Sequence, residues 1–222
     1  MFTGIVQSLA RVIEVRDAPA GAGRRLVIER AGWKARSGRI EQGDSICVSG
    51  VCLTAVEVTE DRVGFDVIPE TLSRTTLGSL TAGIRVNVES SLTAETSMGG
   101  HFVQGHVEAT GTVAGVQTGS DYRITIDAPA QVMAAVIEKG SVTIDGVSMT
   151  VAGVRDAQFE VAVIPATREN TTLGIVGEGD RVNLESDVIS RTVVETIRRM
   201  TEGKGEGSDV TVDLLRRAGF TD

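Results

Sequence analysis

The sequence predicts an all-β protein made of two homologous small barrels in tandem, followed by a C-terminal helix. Three observations support this prediction. Blocks of sequence recur at a nearly constant spacing, short runs of β-branched residues alternate with Gly, Asp and Pro, and a helical period of apolar residues follows only after the second set of blocks.

The recurring blocks indicate a duplicated domain. Residues 68–78 read IPETLSRTTLG and residues 164–174 read IPATRENTTLG, an offset of 96 residues. The same offset relates RVNVES at 85–90 to RVNLES at 181–186, and GVCLT at 50–54 to GVSMT at 146–150. A weaker echo pairs 3–6 with 104–107 at an offset of 101. The blocks keep their order in both halves, which chance similarity would not produce.

Each half contains six strand candidates, which is enough for a small closed barrel without exposed edges. The candidates are 5–15, 25–29, 45–48, 52–58, 63–68 and 86–89 in the first half. In the second half they are 107–116, 122–127, 141–144, 148–154, 159–164 and 182–185. Short helices are predicted at 69–75 and at 129–137, where Pro129 suits a first helical position.

An apolar stripe follows the second barrel. Ile189, Val193, Ile197 and Met200 recur at helical spacing. Two interpretations remain open: the helix packs on its own barrel, or it pairs with copies of itself. The predicted organisation is a first barrel at 1–96, a second at 97–187, the helix at 188–203 and a flexible tail at 204–222.

Composition excludes several classes of function. A net charge of −8, a pI near 4.9 and 3% aromatic residues disfavour nucleic-acid binding. The chain has no apolar run of membrane-spanning length and no signal pattern, so we expect a cytoplasmic location. Two cysteines and two histidines are too few for a four-thiolate or typical zinc site, and nucleotide-binding glycine motifs are missing. His101 and His106 would lie on opposite faces of a strand.

The two halves differ at a few chemically important positions. From the first half to the second, Cys52 becomes Ser148, Ser49 becomes Asp145, Ile5 becomes His106, Ser91 becomes Asp187 and Glu70 becomes Ala166. Two similar pockets with unlike chemistry would suit a reaction between two identical substrates, although duplicated domains also drift. Cys52 itself is a candidate nucleophile or a small buried hydrophobe.

Taken together, these motifs closely resemble the α-type riboflavin synthases over residues 1 to about 200. The resemblance is carried by MFTGIVQ at 1–7, GVCLT at 50–54, GGH at 99–101, GHV at 105–107, DGVSMT at 145–150 and the two IPxT…TTLG blocks. Each motif alone is weak, but the ordered set with the duplication is specific.

The resemblance implies two six-stranded Greek-key barrels and a helix that holds a homotrimer together. Each barrel would bind one 6,7-dimethyl-8-ribityllumazine, with two per active site, between the N-barrel of one subunit and the C-barrel of a neighbour. The reaction would transfer a four-carbon unit between them and yield riboflavin and 5-amino-6-ribitylamino-uracil. No cofactor or metal would be needed, and an association with lumazine synthase is left open.

The resemblance also implies the ligand contacts. In the N-barrel they are Gly4, Ile5, Val6, Cys52, Leu53, Thr54, Asp66, Val67, Ile68, Pro69, Glu70 and Thr71. In the C-barrel they are Gly105, His106, Val107, Lys139, Ser148, Met149, Thr150, Ala162, Val163, Ile164, Pro165, Ala166 and Thr167. The two sets match under the offsets found in the sequence itself.

The expected catalytic roles follow from side-chain chemistry. His106 is the first candidate for proton transfer at the acidic C7 methyl group. Ser148 and Cys52 are candidates for positioning or adding to C7, and Thr150 for a hydrogen bond to the ligand. Asp145, Asp187 and Lys139 would orient these groups. Ala166 departs from the family, which often has an acidic residue there. A non-catalytic lumazine-binding protein is the main alternative, and an oligonucleotide-binding barrel a third.

Overall fold

The computed structural model describes residues 1–18, 22–30, 33, 35, 38–202 and 216. Twelve strands occupy these residues. Those of the first half are β1 (Ser8–Asp17), β2 (Arg24–Glu29), β3 (Ser45–Val48), β4 (Val51–Val58), β5 (Arg62–Val67) and β6 (Arg85–Ser90). Those of the second are β7 (Ala109–Gln117), β8 (Arg123–Asp127), β9 (Ser141–Ile144), β10 (Val147–Arg155), β11 (Gln158–Ala162) and β12 (Arg181–Ser186). The predicted tail at 204–222 lies outside the described residues, apart from Arg216.

The strands form two closed antiparallel barrels with one topology. The first barrel runs β1-β2-β5-β4-β3-β6, and the second repeats this order as β7-β8-β11-β10-β9-β12. This confirms the predicted fold. The strands predicted to start at residues 5 and 107 were wrong at that end, since β1 begins at Ser8 and β7 at Ala109. The residues before each strand leave the barrel to form a connection between the two halves.

Among the described residues, four α-helices accompany the barrels: α1 (Pro69–Arg74), α2 (Ala130–Met133), α3 (Pro165–Asn170) and α4 (Val188–Glu202). The prediction at 129–137 was too long, and Pro129 is the N-cap of α2 rather than its first residue. The sequence prediction missed α3, although the offset of 96 maps it onto α1. Both α1 and α3 begin with a proline, whose fixed φ suits the first helical position.

Strand alternation decides which residues fill each barrel and which face outward. In β4, Val51, Leu53 and Ala55 are buried inside, whereas Thr54 is exposed and Cys52 half-buried. The pattern repeats in β10, where Ser148 and Thr150 point outward. Each barrel is filled by its own apolar cluster, which includes Phe65 in the first barrel and Phe159 in the second. The outward side chains are therefore free for other chemistry.

The two barrels meet at their tight hairpin turns, Ser49-Gly50 and Asp145-Gly146. All four residues have positive φ, as this turn type requires. A Cβ on Gly50 would lie 2.9 Å from the backbone nitrogen of Gly146, so the turns touch backbone to backbone. Only glycine permits this approach on both sides.

Two asparagines lock this junction reciprocally. The Asn87 side chain donates to the carbonyl of Asp145 (2.8 Å) and to the hydroxyl of Thr172 (2.7 Å). Asn183 mirrors it by donating to the carbonyl of Ser49 (2.7 Å) and to the hydroxyl of Thr76 (2.8 Å). Both asparagines are buried, and three of these four bonds are shielded from water, the bond to Thr76 being part-buried. The junction therefore fixes the orientation of one barrel relative to the other.

Candidate functional site

Two arms, residues 1–7 and 98–107, run between the barrels. They pair antiparallel through Phe2 and Val103, whose backbone groups exchange hydrogen bonds of 2.7 and 3.1 Å. Both side chains are fully buried. The pairing of Phe2 with Val103 therefore also fixes the positions of Gly4 and Gly105, which lie two residues further along each arm.

Each arm lies against the barrel of the opposite half. The Ser148 N–H donates to the Gly4 carbonyl (2.8 Å), and Val6 packs against the core of the second barrel. The Cys52 N–H likewise donates to the Gly105 carbonyl (2.8 Å), and Val107 packs against the first core. The arms are therefore exchanged: residues 4–6 lie against the second barrel and residues 105–107 against the first, the opposite of the grouping in the sequence assignment.

The contact between arm and barrel requires glycine. A Cβ on Gly4 would lie 2.5 Å from the Ser148 Cβ, and a Cβ on Gly105 would lie 2.7 Å from the Cys52 Cβ. Both glycines also have positive φ. The arms consequently pass directly over the outward side chains of β4 and β10.

Two buried glutamates that the sequence analysis missed hold the arms. Glu89 accepts from the backbone N–H groups of Thr3 (2.8 Å) and Gly4 (2.9 Å). Glu185 accepts from Gln104 (2.7 Å), Gly105 (3.0 Å) and His106 (3.0 Å). Burial raises the pKa of Glu185, and the three backbone donors oppose that shift. The available signal was the repeated Val-Asn-x-Glu-Ser, in which a charged residue recurs inside a buried strand.

We call the outer surface formed by Cys52, Thr54 and Asp66 the N-face. Ala55 pairs with Phe65, which sets Thr54 beside Asp66 on the outside of the barrel. Asp66 is held by Arg25 at 2.9 Å. The Gly105 arm crosses this face at Cys52, and the neighbouring His106 is exposed. Predicted site residues thus do gather here.

The matching surface of the second barrel, formed by Ser148, Thr150 and Ala162, is the C-face. Val151 pairs with Val161, so Thr150 lies beside Ala162 as Thr54 lies beside Asp66. Both faces are open and flanked by exposed apolar side chains. Ile68 is 58% exposed next to the N-face, Ile164 is 63% exposed next to the C-face, and Ile5 on the arm is 45% exposed.

His101 is the third residue that the sequence analysis missed. Its Nδ1 lies 2.7 Å from the Ser148 hydroxyl and its Nε2 lies 3.1 Å from the Thr143 hydroxyl. Burial lowers the pKa of His101, and the negative charge of Asp187 opposes that shift. The argument that placed His101 and His106 on two faces of a strand was wrong, because this arm is not a strand.

The three predicted orienting residues occupy different environments. Lys139 is exposed and has a φ of +65° where its first-half counterpart is Gly43. Asp187 caps α4 by accepting from the N–H of Ile189 (3.2 Å) and the hydroxyl of Ser190 (3.3 Å). Its charge also acts on His101.

Asp145 lies in the barrel junction instead. It accepts from the Asn183 N–H at 2.8 Å, and a hydrogen bond with Thr172 also favours its charged form. Burial nevertheless raises its pKa to about 7.

The side chains of several other predicted site residues point away from the two faces or serve local structure. Leu53, Val67, Met149 and Val163 point into the barrel cores. Pro69 and Pro165 begin the short helices α1 and α3, in which Thr71 and Thr167 offer carbonyls to Thr75 and Thr171. Glu70 pairs with Arg74 within α1. Ala166, the counterpart of Glu70 in the second half, has no side chain that could form such an ion pair.

Comparisons with known proteins identify the class. The family model described as "Lumazine binding domain" matches residues 3–91 and 104–187. Two solved structures of LumP share the fold, with riboflavin (TM-score 0.76) and with 6,7-dimethyl-8-(1'-D-ribityl) lumazine (TM-score 0.73). Each is 24% identical and covers 84% of this chain and 99% of its own. The chain is a tandem pair of lumazine-binding domains.

Curated relatives narrow this class further. The riboflavin synthase of Mycobacterium tuberculosis (strain ATCC 25618 / H37Rv) is 45% identical over 203 residues, covering 89% of this chain and 98% of the relative. That of Actinobacillus pleuropneumoniae is 34% identical and covers 99% and 100%. The chain therefore belongs to the riboflavin synthase family of enzymes, as the motifs predicted. Within the described residues, no helix is long and apolar enough to span a membrane.

Proposed function

We propose that this enzyme converts two molecules of 6,7-dimethyl-8-ribityllumazine into riboflavin and 5-amino-6-ribitylamino-uracil. One lumazine transfers a four-carbon unit to the other. The observation that supports this most directly is the pair of open faces on one duplicated frame, which are alike in backbone and unlike in side chains. Two identical molecules bound to unlike faces can take unlike roles.

The N-face and the C-face each supply a different set of polar groups in this proposal. Thr54 and Asp66 contact the lumazine on the N-face, where His106 transfers the proton of the acidic C7 methyl group. On the C-face, Ser148 and Thr150 contact the partner molecule, and Lys139 stabilises negative charge on it. The 2.7 Å contact from His101 holds the Ser148 hydroxyl in one orientation.

The helix α4 supports a homotrimeric assembly. Ile189, Val193, Ile197 and Met200 are between 52% and 69% exposed, so they are not buried on the chain's own barrels. Arg191 fixes the start of the helix by pairing with Glu108 (3.0 Å) and Gln104 (2.6 Å). We propose that this stripe packs against copies of itself and brings the N-face of one subunit opposite the C-face of a neighbour.

Incubation of the purified protein with the lumazine alone tests the reaction. Riboflavin should appear at half the molar amount of lumazine consumed, together with an equal amount of the uracil product. Lumazine that binds and remains unchanged would contradict the proposal and indicate a carrier. Omitting oxygen, metals and nucleotides controls for any other source of oxidation or group transfer.

Light scattering on the intact protein tests the assembly. The wild type should have the mass of three chains, and Val193→Glu should dissociate it. Arg198→Glu changes more charge on the opposite side of the same helix and should leave the trimer intact. A monomeric wild type, or dissociation by both variants, would contradict the role of the stripe.

A further inference from the structure

Cys47 and Cys52 lie directly opposite one another in the β3–β4 hairpin. Val48 and Val51 close the hairpin, so the cysteines form the next pair along. The Cys52 N–H donates to the Gly105 carbonyl on the arm, not back to β3. Cys47 and Cys52 are therefore a non-hydrogen-bonded pair, in which side chains share one face and approach most closely.

The backbone spacing of such a pair suits a disulfide. Non-hydrogen-bonded antiparallel partners have Cα atoms about 4.5 Å apart, and disulfides span roughly 4.4–6.8 Å between Cα atoms. Both thiols are free in this structure, and Cys52 packs against the cluster formed by Phe2, Cys47 and Val103. Formation of the bond needs no strand to shift its register.

The two thiols differ in access, which sets the order of reaction. Cys47 is 2% exposed, whereas Cys52 is half-buried at the N-face. Burial raises the pKa of Cys47 well above its ordinary value, and the charge of Glu89 adds to this effect. A reagent from solvent would therefore react with Cys52 first. The thiol of Cys47, which is shielded from solvent, would then displace the reagent from Cys52.

We propose that Cys47 and Cys52 form a reversible dithiol–disulfide switch on the N-face, operated by a low-molecular-weight disulfide such as oxidised glutathione. The Cys52 thiolate attacks one sulfur of the reagent, whose S–S bond breaks and releases one thiolate. The Cys47 sulfur then attacks Cys52, expels the second thiolate and gives up its proton. Two protein thiols are oxidised by two electrons, and the reagent is reduced to two thiols.

The switch acts on only one of the two faces. In the second barrel, the same positions are Thr143 and Ser148, which are paired in the same register but joined through His101. Hydroxyl groups cannot undergo this oxidation. A disulfide would draw the Cys52 sulfur toward the buried Cys47 and remove the thiol from the N-face. The C-face would remain unchanged.

Thiol counting across a series of reduced-to-oxidised glutathione ratios tests the switch. The chain has two cysteines in all, so the count reports this pair alone. Unfolded and alkylated samples should show a change from two free thiols to none, with a mass lower by two hydrogens and full reversal by dithiothreitol. Two free thiols at every ratio, a stable glutathione adduct on the wild type, or a disulfide between chains would each overturn the proposal.

Two single variants separate the roles of the thiols. Cys47→Ser should retain one glutathione on Cys52, because nothing remains to displace it. Cys52→Ser should keep its single buried thiol unmodified under the same conditions. Rapid modification of Cys47 in Cys52→Ser would contradict the proposed order.

A binding measurement tests the consequence for the N-face and rests on the proposed function. Titration with riboflavin should detect fewer or weaker sites in the oxidised wild type, and reduction of the same sample with dithiothreitol should restore them. Unchanged binding by a fully oxidised wild type would overturn the effect on the N-face. It would leave the lumazine reaction itself untouched, since that reaction is measured on the reduced protein.

Discussion

The N-face and the C-face have one backbone plan and different chemistry. Each face presents the second and fourth residues of a strand, β4 or β10. On each, the carbonyl of an arm glycine accepts a hydrogen bond from that strand, and a buried glutamate holds the arm in place. The N-face adds a thiol pair and the carboxylate of Asp66. The C-face instead has hydroxyl groups bridged by His101 and a methyl group at Ala162. Duplication thus preserved the frame while side chains outside the cores diverged.

The largest expected effect concerns Ser148, whose counterpart on the N-face is the thiol of Cys52. Ser148→Ala should lower kcat by about 10²-fold or more, the range in which general acid–base and positioning groups act. His101→Ala should produce a smaller drop in kcat, because Ser148 remains but loses its 2.7 Å partner. Steady-state kinetics with the lumazine measures both. Cys52→Ala is the matched variant, since Cys52 has the same position on the N-face, and it should lower kcat less than Ser148→Ala.

Equal loss in Ser148→Ala and Cys52→Ala would mean that the two faces are used alike. An unchanged kcat in Ser148→Ala would remove this residue from the mechanism. Either result would contradict the proposal that Ser148 gives the C-face a role different from that of the N-face.

The next effect concerns the junction between the barrels, where the second half has Asp145 and the first half has Ser49 at the equivalent position. Burial raises the pKa of Asp145 from 3.8 to about 7, so the folded protein keeps a proton that the unfolded chain releases. Stability should therefore fall as pH rises from about 4 to about 7 and then level off. The total would be on the order of a few kcal/mol. Denaturant unfolding at several pH values measures it.

Asp145→Asn is the control for this pH dependence. Asparagine tolerates the positive φ of the turn and stays neutral, so this variant should lose the decline between pH 4 and 7. A wild type and Asp145→Asn with parallel profiles would show that other groups cause the decline.

The sequence predicted most of the fold because the relevant signals were local. Short β-branched strands and the offset of 96 residues located all twelve strands, and the apolar stripe located α4. The ends of β1 and β7 were wrong because the pairing of Phe2 with Val103 draws the preceding residues away from the barrel. No local pattern encodes that contact between residues a hundred positions apart. Helix α3 was missed although its signal, the counterpart of α1, was present.

The site was less predictable for the same reason. Outward residues such as Cys52, Thr54, Ser148 and Thr150 follow from strand alternation. The exchange of the arms does not, since it depends on how two folded barrels dock. His101 was dismissed because its segment was treated as a strand, and its hydrogen bond to Ser148 exists only after the arm crosses the junction.

The exchanged arms make a distinctive prediction of moderate size. Glu185 anchors the arm that covers the N-face, whereas Glu89 anchors the arm that covers the C-face. Glu185→Gln turns one acceptor into a donor opposite three backbone N–H groups, which should cost about 1–3 kcal/mol of stability. It should also weaken ligand binding at the N-face, although Glu185 belongs to the second barrel.

Glu89→Gln is the matched variant and should weaken the C-face. Ligand titrations followed by NMR, with signals of Thr54 and Thr150 reporting the two faces, would distinguish the variants. If each glutamate affected the face of its own barrel, the exchange of the arms would have no functional meaning.

The smallest effect concerns Lys139, which the second barrel has where the first has Gly43. A non-glycine residue at a φ of +65° is strained, whereas glycine at this position is not. Lys139→Gly should therefore stabilise the fold by up to about 1 kcal/mol while raising KM, since the C-face loses its ammonium group. Gly43→Lys is the reciprocal control and should destabilise by a similar amount without improving turnover. A Lys139→Gly protein that is more stable and equally active would show that the strain serves no purpose at the C-face.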